Sequence, residues 1–283
     1  MVCISCLPPP FITFIILSMS ERGTAESRHT NWLNLVLVVI ILALITTWVV
    51  LTPPGVDGKL HAAGYSVCHQ LDSHSYSIGG KVLPLCARCT GTFLGLLISL
   101  IYLYPRDKSG GFPSRAKTIV LVLFFVFFAV DGINSSLTLL PGLKAFYSPS
   151  NLMRLASGLL FGISLTNLVL VLWNQTLWVD QNPAPVFHSW RQLGWLLLFC
   201  ALAGTLIIAD IPLLYYPVAI LSTATIFLVL GMIYSLLWCI ILKKENTLHL
   251  YRDGFRIFSA GIITVIVQVG VMDLVRYSLS GTW

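Results

Sequence analysis

Cys68, His69, Cys86 and Cys89 fall within one stretch, C-H-Q-L-D-S-H-S-Y-S-I-G-G-K-V-L-P-L-C-A-R-C-T-G, which starts as a polar loop and ends in an apolar helix. Thiolates and imidazoles are the ligands that zinc takes. The two-residue gap between Cys86 and Cys89 lets both thiolates face one ion, and a helix N-terminus favours the thiolate form. Cys68 and His69 from the loop complete a Cys3His set. Adjacent residues need not both reach one ion, so His61 or His74 could stand in for His69. With one coordination position open, a bound water becomes a nucleophile. Arg88 and Arg154 suit an anionic group such as a lipid phosphate. Together with Asp131 they form the candidate catalytic set of a membrane hydrolase or transferase.

Two other chemistries use the same residues. A Cys-x-x-Cys with a third cysteine nearby is also the layout of a membrane thiol–disulfide oxidoreductase, or more simply of a structural disulfide. A non-enzymatic transporter would place Asp131 and Arg154 on its path.

The surrounding chain is built for a bilayer. Of its 283 residues 57% are hydrophobic and 10% charged, where a soluble domain has about 25% charged. The fold class expected is an all-α, polytopic transmembrane bundle in the cell membrane. The net charge of +6 reflects Lys and Arg gathered in loops rather than a basic patch with interleaved aromatics, which excludes nucleic acid as a partner. Of the seven cysteines, Cys3 and Cys6 lie in the leader, and Cys200 and Cys239 sit in apolar runs as small core residues.

Hydropathy gives seven spans, with six as the alternative: 32–51, 86–104, 118–140, 151–173, 192–209, 214–242 and 257–277. Residues 1–31 read as a disordered leader, or as the product of a start upstream of Met19. Residues 32–173 form a four-span core carrying the Cys/His loop, and 174–283 a three-span extension. Arg106, Lys108, Arg115 and Lys117 in one loop, and Lys243, Lys244, Arg252 and Arg256 in another, mark the cytoplasmic side. The Cys/His loop is then extracytoplasmic. It reads as polar and too short to bury a core of its own, with His61 and His74 solvated.

Helical spacing sorts the polar residues inside the spans. Asp131, Asn134, Ser135 and Thr138 form one stripe on the third span. Charge in a bilayer is costly, so this stripe should face protein or water. Arg154 shares a face with Ser157, Gly158 and Phe161, and Arg88 with Gly91, Thr92 and Gly95. A buried Asp131–Arg154 pair and an interfacial Asp273–Arg276 pair are expected. Gly91-x-x-x-Gly95 and Gly158-x-x-x-Gly162 permit close helix approach.

The blocks C-H-Q at 68–70, P-L-C-A-R-C-T-G at 84–91, D-G at 131–132 and N-L-M-R-L-A-S-G-L-L-F-G at 151–162 resemble an uncharacterised family of predicted membrane proteins, domain of unknown function 2085, over roughly residues 60–165. Members commonly carry an aromatic after C-H-Q, here Tyr76, and a glutamine soon after D-G, where Asn134 stands instead. The resemblance implies a membrane protein and supplies no activity.

Overall fold

The computed structural model describes residues 32–103, 108–138 and 144–283. The readings made on the leader, on Cys3 and Cys6, on Arg106 and on the side chain of Arg252 lie outside the described residues and side chains.

Among the described residues eight α-helices carry the fold: α1 (Trp32–Leu51), α2 (Gly55–Tyr65), α3 (Ala87–Leu103), α4 (Arg115–Leu137), α5 (Asn151–Leu177), α6 (Trp190–Ile208), α7 (Tyr215–Ile241) and α8 (Phe255–Ser280). Among the described residues six helical segments are long and apolar enough to cross a membrane, and α3 is a shorter apolar helix of 17 residues. An all-α bundle of six to seven spans is therefore what the sequence encodes. Among the described residues the named strands form two short pairs, β1 (Ser77–Ile78) with β2 (Lys81–Val82), and β3 (Ser109–Gly111) with β4 (Asn182–Pro185).

The loop before α3 differs from its expected form. Gly55-Val-Asp-Gly-Lys-Leu-His-Ala-Ala-Gly-Tyr folds as α2, and Leu60, Ala62, Ala63, Tyr65, Ile78, Leu83 and Leu85 are all buried. The segment contributes to the core rather than lying over it. Its hairpin turns at Gly79 and Gly80, whose φ of 59° and 78° suit the two-residue turn that matches strand twist. The Gly79 N–H donates to Asp210 Oδ1 at 2.8 Å, which ties the hairpin to the α6–α7 connection.

The tightest packing is between α3 and α5. Their small-residue motifs interlock, so that a Cβ on Gly91 would meet the Leu155 carbonyl. One on Gly158 would meet the Arg88 carbonyl, and one on Gly162 would lie 2.6 Å from Leu96 N and Thr92 O. Backbone contact this close fixes the relative rotation and depth of the two helices.

The basic connections gather at one end. Lys108 donates to the His249 carbonyl (3.0 Å), Lys117 to that of His188 (2.7 Å), and β3 pairs with β4 there. The Cys/His loop lies at the other end, where Tyr65 reaches Ser280 and Thr282.

Candidate metal centre

Cys86 immediately precedes α3 and Cys89 lies in its first turn. The Cys89 N–H donates to Cys86 Sγ (3.5 Å) and the Cys86 N–H to Cys68 Sγ (3.2 Å). Hydrogen bonds of this kind favour the charged form of the acceptor. The three sulfurs all lie within 4.8 Å of one another, Cys68 and Cys86 being buried and Cys89 partly exposed. All three are free thiols. The Cys86 and Cys89 thiols, by hydrogen bonding, hold the Cys68 thiol far below the ordinary range, against the opposing effect of burial.

Cys68 is positioned from three directions. The Gln70 amide bridges the carbonyls of His61 (2.9 Å) and Pro84 (2.8 Å). Gln70 itself takes a positive φ of 53°. Arg276 from α8 donates to the Cys68 carbonyl at 2.6 Å and to that of Tyr65. Its guanidinium carbon also stands 3.6 Å from the Tyr65 ring centroid. This corrects the expected Asp273–Arg276 pair: Arg276 serves the loop backbone, while Asp273 accepts from Trp48 Nε1 at 2.9 Å.

The imidazoles stand apart from the sulfurs. His69 is exposed, its Nδ1 accepts from the Leu71 N–H (3.2 Å), and its ring lies against His74 at 5.2 Å. His74 is buried rather than solvated. Burial, then the positive charge of Arg154, pushes its pKa below the usual imidazole value, and Cys68 opposes this. Neither imidazole falls within the three-sulfur group.

Further along the helices lies a charged network. Asp131, Asn134 and Ser135 are buried, as their shared stripe predicts, whereas Thr138 is exposed and its hydroxyl donates to the Ser135 carbonyl at 2.7 Å. The partner of Asp131 is Arg88, not Arg154. Arg88 Nη2 and Nε reach Asp131 Oδ2 at 2.6 and 3.1 Å, and Nη2 also reaches the Asp131 carbonyl at 3.0 Å. The Tyr147 hydroxyl donates to Oδ1 at 2.9 Å and the Ser157 hydroxyl to Oδ2 at 3.3 Å. Arg154, 5% exposed, donates instead to Ser135 Oγ (3.0 Å) and Asn151 Oδ1 (2.7 Å). Both acceptors are neutral, and among the described residues Arg154 belongs to no ion pair.

Gln70, Asn151 and Tyr147 are site residues to which the sequence reading gives no role. Gln70 carried a signal, standing inside the C-H-Q block. Tyr147 carried none, because it reaches Asp131 from the α4–α5 connection, whose path is set by Asn134. The Asn134 side chain accepts from the Phe146 N–H (2.7 Å) and donates to the Tyr147 carbonyl (3.0 Å).

An uncharacterized protein of Methanothermobacter thermautotrophicus is 29% identical over 107 residues, covering 38% of this chain and 86% of that protein. An uncharacterized protein of Methanocaldococcus jannaschii is 30% identical over 111 residues, covering 39% of this chain and 66% of that protein, just under two thirds. No solved structure matches the chain. Residues 68–168, which hold the three cysteines, Arg88, Asp131 and Arg154, match the family described as Predicted membrane protein (DUF2085), so the resemblance carried by the cysteine block holds over that segment.

Proposed function

We propose that this membrane protein holds one zinc ion on the Cys68, Cys86 and Cys89 thiolates at a membrane face, and uses it on an anionic substrate, a lipid phosphate being the form a bilayer supplies. The observation that carries this is the convergence of three sulfurs within 4.8 Å. Two sulfurs on one zinc, each at about 2.3 Å, stand less than about 4.6 Å apart, so binding asks only a small contraction. Charge agrees. The half-buried Arg88 and buried Arg154 guanidiniums against the single Asp131 carboxylate leave one positive charge, and a divalent ion on three thiolates carries one negative charge. The fourth position is left to water, substrate or an imidazole from the His69–His74 pair. When bound, zinc would supply a Lewis acid or an activated water. Arg154, held in place by neutral acceptors, retains charge to offer an incoming anion.

One observation favours a second reading, thiol–disulfide exchange: Cys89 is the partly exposed member of the trio, as the sulfur that meets a partner thiol would be. Metal content of the detergent-purified protein separates the two. About one zinc per chain, lost in Cys86→Ser, supports the metal centre. An oxidised cysteine pair in metal-free protein supports exchange.

A further inference from the structure

The three sulfurs sit in a small apolar cluster of their own. Cys68, Cys86 and Leu85 are buried together with Ile226, and Cys89, Phe93 and Leu230 pack against them. Ile226, fully buried, and Leu230 stand four residues apart on α7 and so share one helix face. One wall of the thiol centre therefore comes from the C-terminal three-span extension, far along the chain from the cysteines. That wall is stiff, because a β-branched side chain has few rotamers in a helix.

The same extension grips the segment that carries Cys68 at two places. Near Cys68 itself, Arg276 of α8 donates to the carbonyls of Tyr65 and Cys68, and the Tyr65 hydroxyl donates to the Thr282 carbonyl at 2.9 Å. At the hairpin, the Tyr215 hydroxyl of α7 donates to the Val82 carbonyl (3.4 Å) and Lys81 Nζ to the Tyr216 hydroxyl (3.0 Å). Cys68 and Cys86 are buried as a result, while Cys89 stays partly exposed.

We propose that α7 and α8 are a built-in cover for the thiol centre, with Ile226 and Arg276 as its positioning residues. They hold Cys68 against Cys86, close that side, and leave Cys89 as the sulfur that faces entry. The inference rests on the convergence of the three sulfurs in the proposed function, and not on the ion they would hold, so its test uses metal-free protein.

Full-length, detergent-purified protein, reduced and stripped of metal with a chelator, is alkylated with N-ethylmaleimide, and the rate at each cysteine is read by mass spectrometry. In the wild type Cys89 should react first of the three. Ile226→Ala should accelerate Cys68 and Cys86 roughly tenfold, since a reagent reaches a buried thiol through local opening, with Cys89 little changed. Arg276→Gln should accelerate Cys68 most. Removing a cation near a thiol by itself lowers its thiolate character, so a faster reaction there reads exposure rather than charge. Arg276→Lys keeps a donor for the carbonyls and should restore the wild-type rate. Cys200 and Cys239, buried in α6 and α7, report on the bundle as a whole and should stay protected throughout. Three results overturn the proposal: Cys68 and Cys86 reacting as fast as Cys89 in the wild type, unchanged rates in both Ile226→Ala and Arg276→Gln, or equal acceleration of Cys200 and Cys239 in both variants, which would mean a loosened bundle with no local cover. Zinc uptake by the wild type is scored separately: a failed cover with zinc bound leaves the metal reading standing, and a cover found without zinc uptake removes that reading alone.

Discussion

Helix α3 has two sides that treat their neighbours in opposite ways. Towards α5 it meets backbone directly, with Gly91 and Gly95 against Leu155 and Leu159. The half-buried Arg88 and the buried Asp131 and Arg154 gather beside that contact. Towards α1, α7 and α8 the same helix presents Leu97, Leu100 and Ile101 to a cavity of about 990 Å³. Charged groups in a membrane demand fixed partners at hydrogen-bond distance. Such partners need a rigid frame, and interlocked glycines provide it. Hydrocarbon demands no particular partner, so the apolar side can be left open for something else to fill.

The largest expected effect breaks the rigid side. Asp131→Asn leaves Arg88 without its counter-charge and should cost about 3–5 kcal/mol in unfolding measured in detergent. A double-mutant cycle with Arg88→Gln should show strong coupling, the double variant losing much less than the two single losses added. The same cycle between Asp131→Asn and Arg154→Gln should couple more weakly, because Arg154 rests on Ser135 and Asn151. Equal coupling in the two cycles would undo the assignment of Arg88 as the partner.

A smaller effect compares glycines across α3. Gly158→Leu forces a side chain into the Arg88 carbonyl and to within 2.9 Å of Thr92 N, and should cost about 1–3 kcal/mol or more. Gly231→Leu enters open space and should leave the melting temperature unchanged or raised, since filling a void restores contacts and Leu is the better helix former. Similar losses at both positions would mean that the two sides pack alike.

These contrasts also show what was legible beforehand. The stripe of Asp131, Asn134 and Ser135 could be read because a helical period converts spacing into a shared face, and burial followed. The interlocking of Gly91, Gly95, Gly158 and Gly162 was legible for the same reason. The partner of Asp131 was not, because two arginines flank it and the choice depends on neutral acceptors. Asn151, one turn before Arg154, and Ser135 hold that guanidinium away from the carboxylate. Helix α2 was hidden by its glycines and polar residues, which read as loop when neighbours that bury Leu60 and Tyr65 are unknown. The convergence of Cys68 with Cys86 and Cys89 followed from residue chemistry, whereas the aim of His69 depends on local backbone after Cys68. The cavity is a property of packing among five helices, α1, α3, α5, α7 and α8, and leaves no mark on any one of them.

A subtler expectation concerns pH at the thiol end. Metal binding requires deprotonated ligands, so affinity should fall on acidification from neutral towards about pH 5. The sign follows from the sulfurs. Hydrogen bonds from the Cys86 and Cys89 thiols lower the Cys68 pKa, but all three thiols must be deprotonated to hold the ion, so uptake releases protons and acid reverses it. Zinc release followed with a chromogenic chelator checks this, and affinity that rises with acid would exclude a thiolate site.

The most direct test of the central claim is X-ray absorption at the zinc edge of the purified, zinc-loaded protein. The account predicts three sulfur neighbours at about 2.3 Å and one lighter neighbour at about 2.0–2.2 Å, with sulfur neighbours lost stepwise in Cys68→Ser and Cys89→Ser. A zinc shell of nitrogen and oxygen alone, or protein that takes up no zinc while its three thiols remain reduced, would contradict it.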